Sequence, residues 1–155
     1  MVRRLPRAQF EKQKGEANKQ AMKALVYSGP PPGFLALSED QPIGWCSLGP
    51  RAHYPSFQKS RVLKAVDDQP VWSVVCFFVK KEFRHLGLTV ALLHAVIDYA
   101  REQGATLLEG YPIHPKKDTT PSVFAYPGLL SAYLQAGFHE VLRRSETRPI
   151  VRLKL

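Results

Sequence analysis

Residues Val71 to Gly104 form the stretch that most constrains what this chain can fold into. Nine almost unbroken apolar residues, 71–79, are rich in β-branched and aromatic types and predict a strand. Because successive positions are apolar, both faces of this strand should be covered, as in the middle of a sheet. A short basic loop and an amphipathic helix follow, and Gly104 stands where helices commonly end. The stretch therefore predicts a buried central strand that leads directly into a helix.

The predicted helix has apolar residues at helical spacing on one side and charged or polar residues on the other. The loop before it, 84–89, would place free backbone N–H groups of a helix N-terminus beside Lys80, Lys81 and Arg84. Such an arrangement binds phosphate or pyrophosphate. The predicted apolar face consists of Leu88, Ala91, Leu92, Ala95, Val96 and Tyr99.

The loop reads Arg84-His-Leu-Gly87-Leu-Thr89, which resembles motif A of the GNAT acetyltransferase superfamily. That motif, Arg/Gln-x-x-Gly-x-Gly/Ala, follows the central strand and opens the main helix. Thr89 departs from the usual glycine or alanine, but it is small and its hydroxyl can bind phosphate. Tyr133-Leu-Gln-Ala-Gly137-Phe138 resembles the second signature of the family, Tyr-x-x-x-Gly-Phe. The resemblance covers residues 33–155 well and the first thirty poorly.

The resemblance implies one GNAT domain over residues 1–155, of the α/β (α+β) class. Its mixed central sheet would contain two splayed parallel core strands, 71–79 and 105–111, flanked by helices. We expect an N-terminal helical part over 1–32 and an acetyl-CoA-binding core over 71–142. Family members usually begin with a strand, and this sequence offers none before Phe10. If that strand is missing, the exposed sheet edge would favour a homodimer through strand pairing.

The implied activity is direct transfer of an acetyl group from acetyl-CoA, as co-substrate and without a metal, to a primary amine in a ternary complex. Tyr133 would be the general acid for the departing thiolate, with Tyr126 in reserve. The central strand backbone would pair with the pantetheine arm, and the loop would hold the pyrophosphate. The implied cofactor-binding residues are Cys76, Phe77, Phe78, Val79, Arg84, His85, Leu86, Gly87, Leu88 and Thr89.

The residue that accepts the proton of the amine is less evident, because the central strand has no carboxylate. Glu109 is the one acid in the second core strand, and it is either a base or acceptor contact, or the partner of a nearby arginine. Asp67 and Asp68 are alternatives that a solvated turn also explains. Nothing basic adjoins Cys76 in sequence, so its thiol is expected to pack rather than react.

The acceptor is not evident from the sequence. The segment 49–70 has no sustained period and should lie beside the acceptor site, with the possible contacts Arg51, His53 and Tyr54 or simply solvated side chains. An apolar acceptor pocket and ordinary core packing explain Trp45, Trp72 and Tyr111 equally well.

Elsewhere, the pattern predicts helix over 7–27 with a break at Gly15 and a hairpin over 33–48. After the second core strand it predicts a polar loop over 112–121 and a short helix over 126–136. A final antiparallel pair of strands is expected over 138–142 and 148–155. These elements and the ordinary 45% hydrophobic content fit a globular domain.

The net charge of +9 and the pI near 9.8 raise the alternative of a nucleic-acid-binding module. The basic residues are dispersed and do not alternate with aromatic residues, so nucleic acid is not the expected partner. A non-catalytic acyl-CoA-binding protein of the same fold is the other alternative. Both cysteines lie in apolar stretches, and the sequence has neither an apolar run of membrane length nor an apolar signal core. We therefore expect a cytoplasmic protein without a membrane partner.

Overall fold

The computed structural model describes residue 1 and residues 3–116 and 125–155. Two N-terminal helices, α1 (Arg7–Lys12) and α2 (Glu16–Ser28), are separated at Gly15, which has a positive φ of 87°. The predicted break is therefore confirmed. None of the helices in the described ranges has the length and apolar content needed to span a bilayer.

Six strands form one mixed sheet in the order β1-β2-β3-β4-β6-β5. The predicted hairpin consists of β1 and β2, β3 is the predicted central strand, and β4 is the second core strand, parallel to β3. The final antiparallel pair is also confirmed. The strands are β1 (Gly33–Ser38), β2 (Gln41–Pro50), β3 (Trp72–Val79), β4 (Leu107–Gly110), β5 (His139–Arg143) and β6 (Pro149–Lys154).

The main helix, α3 (Leu88–Glu102), crosses from β3 to β4 as the sequence predicts. At its C-terminus Gly104 has φ 73°, and the N–H groups of Gly104 and Ala105 donate to the carbonyls of Arg101 and Ala100. This is the hydrogen-bond pattern of a left-handed glycine cap. The apolar face is rotated from the predicted one, since Ala91 and Ala95 are exposed. The buried residues are Leu92, Leu93, Val96, Ile97 and Ala100.

The last helix, α4 (Leu130–Gln135), is shorter than the predicted 126–136, and that prediction is wrong at its N-terminal end. Pro127 and Gly128 cause the difference, because Gly128 has φ 86° and its N–H donates to the Ala125 carbonyl in a turn. Tyr126 therefore precedes the helix by a turn instead of starting it. The predicted loop over 112–121 lies outside the described residues from 117 onward.

The two faces of the sheet carry different packing. One face packs against α3 and α4 through Cys46, Leu48, Val74, Phe77 and Leu108, among others. The other face is covered by the segment 51–66, whose Tyr54, Phe57 and Leu63 are almost fully buried against Val75, Tyr111 and Ile150. Most of segment 49–70, which was predicted to lie beside the acceptor site, thus packs as a cover, and it contains the single-turn 3-10 helices Arg51–His53 and Pro55–Phe57.

A β-bulge in β3 changes which side chains face the helices. Ser47 pairs with Cys76 and Leu48 pairs with Val74, so Val75 is the extra residue. Ser73 and Val75 lie on the covered face, whereas Phe77 lies on the helix face with Val74. Simple alternation would have put Phe77 on the same face as Val75. The bulge therefore reorients β3 just where it separates from β4.

Candidate active site

The loop between β3 and α3 has the geometry of an anion site. His85 and Gly87 both adopt left-handed backbone conformations, with φ 63° and 77°, and Gly87 is the N-cap of α3. No side chain caps this helix start. The first N–H groups of a helix have no acceptor within it, and Lys80 and Lys81 precede this helix start in the chain.

Arg84 is half-buried at the base of the same loop. Its Nε donates to the Val79 carbonyl at 3.1 Å, which ties the side chain to the end of β3. His85 and Leu86 are exposed, with Leu86 at 72%. A Cβ at Gly87 would meet no atom within 4 Å, so space for a ligand lies directly above this residue.

The two parallel core strands pair over only three residues and then diverge. Their register ends at Val74 opposite Gly110, while β3 continues five residues further to Val79. The segment 125–129 lies in the gap: the Phe77 N–H donates to the Tyr126 carbonyl at 2.6 Å, and the Ile113 N–H donates to the Gly128 carbonyl at 2.9 Å. The edge of β3 beyond its pairing with β4 therefore has a donor, the Phe77 N–H, that binds a carbonyl oxygen.

Tyr133 lies against this gap and is fully buried. Its hydroxyl donates to the Pro127 carbonyl at 3.2 Å, and its ring packs edge-on to Phe77 with centroids 6.1 Å apart. Burial raises the pKa of the Tyr133 hydroxyl well above its usual value, so it is protonated at any physiological pH. The ring fits between two glycines, since a Cβ on Gly110 or Gly128 would come within 3.0 Å of it.

Glu109 is also fully buried, on the covered face, and both of its oxygens accept hydrogen bonds. Oε1 accepts from Arg51 Nη1 at 2.8 Å and from the Tyr111 hydroxyl at 2.7 Å. Oε2 accepts from Arg152 Nε at 2.8 Å. The pairing with arginine that the sequence left open is therefore present, and it involves two arginines.

The same network extends outward in both directions. Arg152 also binds both carboxylate oxygens of Asp67, at 2.6 and 2.9 Å. These hydrogen bonds, and the Arg152 charge, lower the pKa of the Asp67 carboxyl to about 2. Arg51 donates to the Leu63 carbonyl at 2.7 Å and contacts the Tyr111 hydroxyl. The network thus fastens the covering segment to β4 and β6.

Several other predicted contacts lie in the protein interior. Tyr54 is fully buried and Tyr111 is 2% exposed, so core packing accounts for both. Trp45 and Trp72 are half-buried, and Trp72 packs edge-on to Tyr99 on α3. Asp68 is exposed. Trp45, Trp72 and Tyr111, which were considered for an apolar acceptor pocket, are not among the residues that line the open groove beside α2.

Cys76 is half-buried and its thiol is free. Burial raises the pKa of the Cys76 thiol, and the opposing effects of the N-terminal amine and Arg4 are smaller. The thiol is therefore protonated near neutral pH, as expected of a packing residue.

An open groove of about 480 Å³ lies between α2 and the covering segment. Arg4 and His53 form one wall. Burial, followed by the charge of Arg4, lowers the pKa of His53, so its imidazole is neutral near pH 7. The remaining lining residues are Met1, Ala21, Ala24, Leu25 and Ser28.

The sequence analysis missed the ionic network and the groove. The partner of Arg152 could not be predicted, because its contact with Asp67 joins residues 85 positions apart. Arg4 was one of several dispersed basic residues at the N-terminus. The alternation of polar Glu109 and Arg152 with apolar neighbours was the one available signal for a polar patch under the cover.

A basic helix start beside an open strand edge is typical of α/β proteins that bind phosphorylated ligands. The comparison with family models identifies residues 1–123 as a match to the Acetyltransferase (GNAT) family. This match spans well over half of the sequence, and the chain belongs to the GNAT acetyltransferase family. No curated protein sequence matches the chain.

Solved structures with the same fold are distant in sequence. An acetyltransferase of the GNAT family from Desulfovibrio desulfuricans matches with a TM-score of 0.57 at 18% identity, over 94% of this chain and 88% of that one. The ribosomal-protein-alanine N-acetyltransferase from Brucella melitensis matches with a TM-score of 0.55 at 20% identity, over 90% and 78%. The PaiA N-acetyltransferase from Thermoplasma acidophilum, solved with coenzyme A, matches with a TM-score of 0.56 at 14% identity, over 97% and 80%. These likenesses show the fold.

Proposed function

We propose that the chain is an acetyl-CoA-dependent N-acetyltransferase that transfers an acetyl group directly to a primary amine in a ternary complex. The observation that carries the proposal is the combination of a basic helix start without a side-chain cap and, immediately before it, the part of β3 that does not pair with β4. The loop 84–89 suits a pyrophosphate, and the edge of β3 suits the amide groups of a pantetheine arm. Both features lie on one continuous stretch of chain.

The Phe77 N–H is the donor best placed for the thioester carbonyl. It already donates to a carbonyl oxygen, that of Tyr126, across the gap between the core strands. In the complex, the thioester oxygen takes the place of the Tyr126 oxygen, and segment 125–128 withdraws by the width of the bound arm. A backbone donor fixed by the β3 bulge stabilises negative charge as it develops on that oxygen.

The reaction forms a bond between the amine nitrogen and the acetyl carbon and breaks the carbon–sulfur bond of the thioester. The nitrogen of the neutral amine loses one proton to water, the departing thiolate gains one, and a proton from water restores the acid that supplied it. Tyr133, held protonated by burial, supplies a proton or a hydrogen bond to the thiolate. It must first exchange its bond to the Pro127 carbonyl for one to sulfur.

For Glu109 we propose a positioning role rather than that of a base. Its oxygens already accept hydrogen bonds from Arg51, Tyr111 and Arg152, and no part of the side chain reaches solvent. Accepting a proton from an amine would require these bonds to break. Glu109 instead keeps the covering segment in place beside the gap.

A non-catalytic acyl-CoA-binding protein is the second candidate, and the geometry of Tyr133 is compatible with it as well. The hydroxyl is fully buried and engaged with Pro127, which is also what a purely structural tyrosine would show. Both candidates predict binding of acetyl-CoA, and only the first predicts turnover.

The test is a continuous assay of free CoA thiol released from acetyl-CoA with a panel of primary amines, for wild type, Tyr133→Phe and Tyr99→Phe. Tyr99 packs against the same core from α3 and serves as the matched control. We expect Tyr133→Phe to lower kcat by about 10²-fold or more and to keep the Kd for acetyl-CoA within about twofold. Binding by wild type without release of CoA to any amine would favour the non-catalytic alternative.

A further inference from the structure

Three arginines on the covered side of the sheet are half-buried without an acidic partner. In the described ranges, Arg3, Arg4 and Arg148 form no ion pair, whereas Arg51 and Arg152 share Glu109 and Asp67. We call Arg3, Arg4 and Arg148 the arginine cluster. Partly buried cations without a counter-charge are unfavourable, so the cluster has a capacity for negative charge that the described residues do not fill.

The contacts of Arg4 leave part of its guanidinium unsatisfied. Nη2 donates to the Tyr54 hydroxyl at 3.0 Å and to the Leu48 carbonyl at 3.4 Å, and the guanidinium carbon lies 4.5 Å from the centroid of the Tyr54 ring. Nε is buried and has no hydrogen-bond partner among the residues that the structure describes. The aromatic ring and two neutral oxygens hold the side chain in position, but they supply no negative charge.

Arg3 contacts Tyr126, and Arg148 is near enough to both side chains to interact with them electrostatically. Arg3 Nη2 donates to the Tyr126 hydroxyl at 3.4 Å, and the Arg3 guanidinium carbon lies 5.6 Å from the centroid of the Phe57 ring. Burial lowers the pKa of the Arg148 guanidinium, and the charge of Arg3 lowers it further, whereas Tyr126 raises it. The side chains of Arg3, Tyr126 and Arg148 are therefore close enough to interact electrostatically. Tyr126 thereby connects the cluster to the Phe77 N–H, which binds its main-chain carbonyl.

The position of the cluster separates it from the phosphate loop. Arg4 contacts the Leu48 carbonyl, and Leu48 pairs with Val74, five residues before the end of β3. At about 3.3 Å per residue, that is roughly 17 Å from the loop that begins beyond Val79. Of the cluster, Arg4 lines the groove, and its chain neighbour Arg3 contacts Tyr126 in the segment beside the gap between the core strands. The charge of the cluster therefore faces the acceptor side rather than the pyrophosphate.

We propose that the acceptor is a small amine that carries a carboxylate, and that the arginine cluster binds this carboxylate. The inference rests on the proposed acetyltransferase function. Guanidinium groups bind carboxylates through charge-assisted and often bidentate hydrogen bonds. The open groove beside Arg4 is lined by Ala21, Ala24 and Leu25, which give it an apolar wall for the body of such a molecule.

The first experiment measures binding without any reaction. N-acetyl-β-alanine and N-acetyl-β-alaninamide are titrated at fixed low ionic strength, with chemical-shift perturbation as the readout. We expect the carboxylate to bind at least tenfold more tightly than the amide in wild type. Arg148→Gln should remove this preference, and Arg4→Gln is the second variant in case the first folds poorly. Arg61→Gln, which loses the same charge at an exposed position, is the matched control and should behave as wild type.

The second experiment measures turnover at saturating acetyl-CoA with matched pairs: glycine and glycinamide, β-alanine and β-alaninamide, and phenylalanine and phenylalaninamide. We expect kcat/KM to favour the acid by at least tenfold in one pair or more, and Arg148→Gln to abolish the difference. Carboxylate binding without turnover would support the carboxylate site while refuting the acetyltransferase proposal. Turnover with equal preference for acid and amide in all pairs, or a preference that both variants retain, would overturn the inference alone.

Discussion

Glu109 shows how one buried carboxylate can organise a region of this protein. It lies on β4 between two guanidinium groups, Arg51 from the covering segment and Arg152 from β6, and it accepts from the Tyr111 hydroxyl as well. A buried ion pair of this kind adds little net stability compared with apolar side chains, but breaking one is costly because a charge is left unpaired. The main role of Glu109 is therefore to hold the covering segment against β4 and β6 in a fixed geometry.

Replacing Glu109 by Gln should destabilise the fold by about 3 kcal/mol, because Arg51 then keeps no charged partner and Arg152 keeps only Asp67. Urea unfolding measures the loss. Glu102→Gln, at an exposed position on α3, is the control and should change stability by less than about 0.5 kcal/mol. A Glu109→Gln variant of nearly wild-type stability with strongly reduced turnover would instead support Glu109 as the base.

Asp67 provides a pH-dependent test of the same network. Its carboxyl has a pKa of about 2 in the folded chain and an ordinary value of 3.8 without Arg152. A depressed folded-state pKa stabilises the protein above the unfolded-state value, and that contribution is lost as the pH falls toward the folded-state value. Wild type should therefore exceed Asp67→Asn in stability by a constant amount above about pH 5, and the difference should shrink between about pH 4 and pH 2.

Urea unfolding midpoints across this pH range measure the difference. Asp98→Asn, which removes an exposed pair with Arg101 on α3, should show only a small effect at every pH. A difference between wild type and Asp67→Asn that does not change with pH would mean that the ion pair with Arg152 is not responsible for it.

At the scale of elements, Tyr133 couples β4 to α4. Its ring occupies the space over Gly110, where a side chain would otherwise stand, and Gly128 closes the opposite side. This close approach explains why the second core strand ends in glycine beside the gap. It also places a tyrosine hydroxyl within the turn that precedes α4, at Pro127.

Gly110→Ala should therefore destabilise the fold, because the new Cβ would lie 2.2 Å from Cε1 of Tyr133 and the buried ring has no free space into which to move. Overpacking of this kind costs about 1–3 kcal/mol, which corresponds to a fall in Tm of roughly 3–10 °C for a domain of this size. Thermal unfolding followed by circular dichroism measures it. Gly29→Ala, where a Cβ meets nothing within 4 Å, is the control. Equal Tm values for the two variants would contradict the packing described for Tyr133.

The elements that were predictable from sequence are those whose pattern is local. The apolar run of β3, the periodicity of α3 and the glycine after it each depend on neighbouring residues, and the structure confirms them. The predicted start of α4 was wrong because a Pro-Gly turn overrides the helical pattern. The buried face of α3 differs from the predicted one because β1, β2, β3 and α4 all pack on this helix. The bulge at Val75 arises from the pairing with β2 and leaves no local mark.

At the scale of the whole molecule, the sites that were not predictable depend on distant residues. Arg51 meets Glu109 across 58 positions, and Arg3 meets Tyr126 across 123. The net charge of +9 was read as a dispersed surface property. In the structure, part of this charge lies in the loop at one end of β3, which we propose binds pyrophosphate, and part in the arginine cluster, which we propose binds the acceptor. The two basic regions would attract the two anionic ends of a ternary complex.

The most direct test of the proposed function is calorimetric titration of acetyl-CoA into wild type, Gly87→Glu and Gly104→Glu. The two glycines lie at opposite ends of α3, with φ 77° and 73° and no atom within 4 Å of an added Cβ. Both variants therefore carry the same strain and the same new charge. Only at Gly87 would the carboxylate stand in the proposed pyrophosphate site.

We predict saturable binding by wild type, a similar Kd for Gly104→Glu, and a Kd at least tenfold weaker for Gly87→Glu, in chains whose circular dichroism remains native. A tenfold change corresponds to about 1.4 kcal/mol of binding free energy. Equal affinity of the two variants would place the cofactor elsewhere. No binding by folded wild type would contradict the proposed function.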